Sequence, residues 1–123
     1  MQDNNNSFTL NININNKQYL GLLDTGTSTS LISNKIIENE NLKSLINKNE
    51  LGYIEFLNNN QNITGRILLN TIIENKKIQF SPFILSDLPY DIILGRDFMF
   101  DNKIIINFDN NTITLNNNII NNK

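Results

Sequence analysis

Cysteine and histidine are both absent from this 123-residue chain, and the two absences close most routes to hydrolytic chemistry. Without thiols there is no disulfide scaffold and no thiol nucleophile. Without imidazole there is no Ser-His-Asp triad, and without either there is no Cys/His zinc site. A hydrolase built from this sequence has to activate water through carboxylates, through lysine or tyrosine, or through a metal held by oxygen ligands. An excess of one charge is missing too: 10 basic and 12 acidic residues give a net charge of −2. Spread along the chain, they form no footprint for nucleic acid and no basic amphipathic face for a membrane surface. No apolar run approaches the length of a membrane span, and Gln2-Asp3-Asn4-Asn5-Asn6 is neither basic nor apolar. The expectation is one soluble, non-secreted domain with neither nucleic acid nor membrane as partner.

Asparagine is abundant, 27 residues in all, with runs at Asn58-Asn59-Asn60 and Asn116-Asn117-Asn118. Such a bias marks low-complexity tracts, but here the asparagines interleave with isoleucine and leucine at strand spacing, so they read as turn and solvent-face filler. The glycosylation-like triplets at Asn5, Asn62 and Asn110 are expected by chance in such a chain. Phe8 to Ile14 alternates apolar and polar residues, which predicts a strand with one buried face; Asn15-Asn16-Lys17 turns it, and Gln18 to Leu23 returns. Ser30 to Ser33 predicts a short strand, with Ser33 capping a weak helix through Lys35 to Glu38. Leu51 to Leu57 and Ile63 to Ile73 predict a long hairpin across the polar loop Asn58 to Asn62. Ile78 to Leu85 follows, with Pro82 marking an edge or an irregularity.

Ile92-Ile93-Leu94 is an apolar strand stopped by Gly95, and it predicts burial on both faces. Arg96 to Phe100 suits one or two helical turns. Lys103 to Phe108 and Thr112 to Leu115 predict a last hairpin, with a loose polar tail beyond. Many short strands and at most two small helices mean an all-β barrel or sandwich. Asp87, Asp91 and Asp101 are most simply turn and cap residues, and Phe98, Met99 and Phe100 core or interface packing.

The chemistry concentrates at Leu22-Leu23-Asp24-Thr25-Gly26, where an apolar strand runs into a carboxylate and Thr27, Ser28, Thr29 and Ser30 follow. An ordinary Asx turn is the plain alternative for Asp24. With Ile93-Leu94-Gly95-Arg96-Asp97 downstream, however, the chain resembles a retropepsin, the half-size aspartic protease of retroviruses and long-terminal-repeat retrotransposons. The resemblance runs from Phe8 to Leu115. Its flavour is that of the gypsy-class elements, carried by Ser30-Leu31-Ile32-Ser33, by Tyr90-Asp91-Ile92-Ile93-Leu94-Gly95-Arg96-Asp97-Phe98, and by Ile106-Asn107-Phe108 with the hairpin after it.

That resemblance implies an all-β, closed retropepsin-like barrel over residues 8–115, with a flexible segment 1–7 before it and a polar tail 116–123 after it. It also implies a two-fold homodimer, because aspartic proteases hold two carboxylates against one water and this chain has a single Asp-Thr-Gly. Asp24 is the implied catalytic residue, supported by Thr25 across the dimer axis and by Gly26, whose backbone accepts from substrate. The hairpin tip at Asn58, Asn59 and Asn60 would act as a flap, while Thr27, Ser28, Thr29 and Ile93 line the cleft. Gly95, Arg96 and Asp97 are structural. No cofactor and no metal is called for. The implied substrate is an extended peptide or a retroelement polyprotein, in the cytoplasm or within retroelement particles. The different-class alternative is a host-retained or inactive domain that binds peptides or dimerises. One departure concerns Ser28, which stands where retroviral enzymes carry an aspartate that pairs with the arginine. The partner of Arg96 is therefore left among Asp97, Asp91 and the other subunit.

Overall fold

A computed structural model describes residues 7–48, 52–56 and 59–122. Period-two alternation dominates, and the chain folds as β1 (Thr9–Ile14), β2 (Lys17–Leu23), β3 (Leu31–Ser33), α1 (Asn34–Asn39), a 3-10 turn (Lys43–Leu45), β4 (Gly52–Phe56), β5 (Asn59–Arg66), β6 (Leu69–Ile73), β7 (Lys76–Phe80), β8 (Phe83–Leu85), β9 (Ile92–Leu94), α2 (Arg96–Asp101), β10 (Ile105–Asn107), β11 (Thr112–Leu115) and β12 (Asn118–Asn121). Nine strands join one curled sheet in the order β4-β5-β8-β3-β9-β2-β1-β6-β7, and β10-β11-β12 form a second. The inward residues of β1, namely Leu10, Ile12 and Ile14, meet Ile36 and Ile37 of α1, Ile73 of β6 and Phe98 of α2 in the main core. Burial of this kind contributes about 25 cal/mol for each Å² of apolar surface removed from water.

The asparagines have a specific task in this architecture. Three two-residue hairpin turns place both central residues in the left-handed region: Asn15 and Asn16 (φ 53 and 67), Glu74 and Asn75 (50 and 65), Asn116 and Asn117 (47 and 73). Turns of this hand match the twist of the flanking strands, and asparagine tolerates them better than other residues bearing a Cβ. A chain with only five glycines thereby makes its tight hairpins.

Four expectations need correction. Asn59 to Asn62 are not loop: they belong to β5, where Phe56 pairs with Asn59 and Glu55 with Asn60. Asn58 lies outside the described residues. The segment 63–73 is two strands broken at Ile67 and Leu68, and 78–85 divides at Ser81-Pro82, where the chain changes neighbours from β6 to β5 and β3. β5 also bends at a register shift around Gly65, whose φ of +155 is one that residues with a Cβ rarely adopt. Last, the tail is not loose. Asn118–Asn121 pair with Thr112–Leu115, and the Asn122 side chain accepts from Thr9 N (3.2 Å) and donates to the Ser7 carbonyl (2.8 Å). Both ends of the described chain are thus stapled together.

α1 is short, so its stability comes from its ends. The Ser33 hydroxyl caps it by accepting from Lys35 N (3.2 Å), and the buried Glu40 closes the other end. The Glu40 carboxylate accepts the Tyr19 phenol and lies 3.7 Å from Lys17 Nζ. The tyrosine hydrogen bond, with help from Asn15 and Lys17, holds the Glu40 carboxyl below the usual range, whereas burial and the adjoining carboxylate push Tyr19 up to about 12. A lowered carboxyl stabilises the fold above its unfolded-state pKa, and that stability is lost as pH falls through the folded value. A raised phenol contributes below its ordinary value of 10 and loses its contribution as pH climbs toward 12. Tyr19→Phe is therefore expected to lower the melting temperature at pH 7, with the difference from wild type shrinking on acidification through the carboxylate range. Thermal denaturation at both pH values checks it, and a difference independent of pH contradicts the coupling.

Candidate active site

The site is made by a crossing of the chain. β9 lies between β2, to which it is parallel, and β3, to which it is antiparallel, so the segment 24–30 joining β2 to β3 has to pass over the end of β9. Leu23 pairs with Leu94, and Asp24 N donates to the Leu94 carbonyl (3.0 Å). Gly95 runs directly beneath the loop. A Cβ there would sit 2.8 Å from the Thr27 carbonyl oxygen and 2.9 Å from the Thr29 carbonyl carbon, so only glycine fits. The chain then returns two amides to the loop: Arg96 N donates to the Thr27 carbonyl (2.8 Å) and Asp97 N to the Ser28 carbonyl (3.1 Å).

Asp24 emerges half-buried from this crossing. Gly26 N donates to its Oδ1 and the Thr27 hydroxyl to its Oδ2, both at 2.9 Å. Each oxygen keeps a free lone pair, so the carboxylate is oriented by its own loop and remains open to water or substrate. Thr25, Gly26 and Ser28 are exposed beside it, with Thr27 and Thr29 half-buried. A depression of about 340 Å³ adjoins Asp24 and Thr25, walled by Phe8, Leu22, Ile106 and Phe108. Phe108 stands edge-on to Phe8 with ring centroids 5.0 Å apart, yet it is 72% exposed. A second cavity of about 470 Å³ shares Ser7 and Leu22 with the first and continues to Leu20, Tyr90 and Asp91. A further cavity of about 630 Å³ is lined by Asn13, Asn70, Lys77 and Gln79, and Asp24 is not among its lining residues. Among the described residues no three histidine, cysteine, aspartate or glutamate side chains converge as a metal site.

The structure thus gathers Asp24, Thr25, Gly26, Thr27, Ser28, Thr29, Gly95, Arg96 and Asp97 in one place, and it corrects one assignment. Ile93, expected to line the cleft, is fully buried within the chain, packed with Leu31, Leu85 and Leu88. Asn59 and Asn60 lie on β5, which three strands separate from β2 in the order of the sheet. Within the chain the partner of Arg96 is neither Asp91 nor Asp97: its Nη1 donates to the Thr25 carbonyl (2.7 Å). Asp91 instead accepts from Leu20 N (3.2 Å). Asp97 accepts from Ser30 N (3.0 Å), the Ser30 hydroxyl (2.7 Å) and Phe98 N (2.7 Å). Ser30 is the residue that sequence reasoning missed. Next to Leu31 it reads as the start of a strand, and only the crossing gives its hydroxyl a use.

The family model for retroviral aspartyl protease matches residues 4–107 of this sequence. No curated protein matches it at a significant level. Among solved structures, the fold is similar to the retroviral protease-like domain of Ddi1 from Leishmania major, with a TM-score of 0.84 and 21% identity over 98% of this chain and 96% of that one. It is also similar to EIAV protease complexed with the inhibitor HBY-793, with a TM-score of 0.61 and 20% identity over 82% of this chain and 92% of the other. At these identities the solved structures speak to the fold, which is retropepsin-like.

Proposed function

The chain belongs to the retroviral aspartyl protease family, and from that premise we propose that it is a homodimeric aspartic endopeptidase whose two Asp24 carboxylates share one water. The observation that carries the reading is the presentation of Asp24 at a surface, both oxygens oriented by Gly26 N and the Thr27 hydroxyl. A lone carboxylate held this way is half of a dyad. Two such groups about 3 Å apart hold a single proton between them. One Asp24 then takes a proton from the bridging water while its protonated mate donates to the scissile carbonyl oxygen as the tetrahedral intermediate forms.

Support for a second copy comes from the surroundings of Asp24. The exposed Thr25 side chain is available to bond across a two-fold axis, and Phe108 stands 72% exposed at the rim of the same depression. Gly26 would offer its carbonyl to an extended peptide flanked by Thr27, Ser28 and Thr29, and the hairpin tip at Asn58 to Asn60 would close over it as a flap. A retroelement polyprotein is the substrate such an enzyme suits, met in the cytoplasm or in an assembling particle. Among the described residues no helix is long and apolar enough to cross a membrane. A second reading, a host-retained domain that binds peptides or dimerises without cutting, draws on the architectural match to the Ddi1 domain.

A peptide-library digest, run with and without an aspartic-protease inhibitor across a dilution series, tests the proposal. Inhibitor-sensitive products whose specific yield falls as sedimentation shows the dimer dissociating are expected. Full activity in the monomer defeats the two-fold scheme, and peptide binding without products favours the second reading.

A further inference from the structure

We propose that Ser30 and Asp97 are positioning residues that fix where the Asp24 carboxylate sits, an inference that rests on the protease reading above. Three hydrogen bonds tie the crossing loop to the chain beneath it, and a fourth within that lower chain steadies the carboxylate. Gly95 N donates to the Ser30 hydroxyl oxygen (3.0 Å), that hydroxyl donates to Asp97 Oδ1 (2.7 Å), and Ser30 N donates to Asp97 Oδ2 (3.0 Å); the backbone from Gly95 to Asp97 closes these into a ring, and Phe98 N donates to Oδ1 (2.7 Å). Ser30 is fully buried and so is Gly95, so neither can replace a lost partner with bulk water.

The ring stands at the far end of the loop from Asp24, and that placement gives it leverage. Asp24 is tied to β9 at Leu94, Thr27 and Ser28 to the amides of Arg96 and Asp97, and Ser30 to the Asp97 carboxylate. The first three ties run between backbone groups. The last needs side chains, and it is the charge-assisted one, about twice as strong as a neutral bond. Without it the loop keeps its backbone ties but loses the side-chain contact that fixes its Ser30 end over Gly95. Because Gly26 N and the Thr27 hydroxyl orient the carboxylate, a displaced loop carries Asp24 with it. A misplacement of about 1 Å costs on the order of 10²-fold in rate, since both carboxylates must reach one water.

Ser30→Ala and Asp97→Asn test this together, with Tyr19→Phe as a control that loses a buried hydrogen bond away from the loop. Asp97→Asn keeps an acceptor for the Ser30 hydroxyl but turns an amide donor toward Ser30 N, so it loosens the ring even where Ser30→Ala fails to fold. Both loop variants are expected to lower kcat about 10- to 100-fold with KM within about twofold. They should also speed amide exchange at Gly26, Thr27 and Gly95, whereas Tyr19→Phe lowers the melting temperature and leaves kcat alone. Loop variants that lose stability like the control yet keep wild-type kcat overturn the assignment. Should the wild type show no Asp24-dependent cleavage, the protease reading fails by itself. The exchange measurement still decides the lock, with unchanged protection of Gly26 and Thr27 in both variants counting against it.

Discussion

Asp24→Asn is expected to abolish peptide hydrolysis, a loss of at least about 10³-fold, while leaving melting temperature and dimerisation near wild type. The replacement is isosteric, and the local hydrogen bonds survive it: the amide oxygen accepts from Gly26 N, and the amide nitrogen donates to the Thr27 hydroxyl, which rotates to accept. What disappears is the chemistry. A carboxamide neither takes a proton from water nor holds one to donate, and in a homodimer the substitution removes both members of the dyad. Mixing wild-type and variant chains adds a sharper arm, because a heterodimer with a single Asp24 also lacks either its base or its acid. Activity of a mixture should then follow the fraction of wild-type homodimer, the square of the wild-type mole fraction under random assortment. Substantial hydrolysis by pure Asp24→Asn, or activity linear in mole fraction, would defeat the assignment.

The second large effect is expected from the smallest change, Gly95→Ala. The added methyl meets backbone, not the movable end of a side chain: 2.8 Å to the Thr27 carbonyl oxygen, 2.9 Å to the Thr29 carbonyl carbon and 3.0 Å to its oxygen. None of these can rotate away. The loop must rise as a unit, which stretches the bonds from Arg96 N and Asp97 N and the contact between Gly95 N and Ser30. Overpacking of this kind costs about 1–3 kcal/mol, a fall in melting temperature of about 4–12 °C for a domain of this size. Activity should suffer further, by about 10²-fold, because the segment that moves is the one bearing Asp24. Circular dichroism and a hydrolysis assay on the same sample measure the two losses separately. Gly95→Ala with wild-type kcat would mean that the crossing tolerates a wider gap than the contacts allow.

Much of this site was legible before the structure because its signals are local. Leu22 and Leu23 announce a buried strand, Gly26 lets the chain leave it, and Ile92 to Leu94 ends abruptly at a glycine; each of these is a statement about adjacent residues. The non-local parts were not legible. Ser30 and Asp97 are 67 positions apart, and their contact exists because β9 inserts between β2 and β3, which no periodicity reveals. Arg96 shows the same limit: a cation in sequence suggests an anionic partner, whereas the fold delivers the Thr25 carbonyl. Three consecutive apolar residues cannot say which of them faces a cleft, and burial on both faces put Ile93 in the interior. The final strand was hidden because Asn118-Ile119-Ile120-Asn121 does not alternate. Its place is set by the left-handed turn at Asn116 and Asn117 and by pairing with Thr112–Leu115.

The contact between Asn122 and Ser7 has an implication for how such a domain travels. Because the chain enters and leaves the fold within one hydrogen bond of itself, 2.8 Å from Asn122 Nδ2 to the Ser7 carbonyl, the unit is topologically a cassette. Domains with neighbouring termini accept insertion into a host chain and circular permutation with little strain. Flanking sequence on both sides would emerge from a single spot, so neither fusion partner has to thread around the domain. Splicing it into a larger protein, or cutting it free, is then a local event that leaves the sheet as it was.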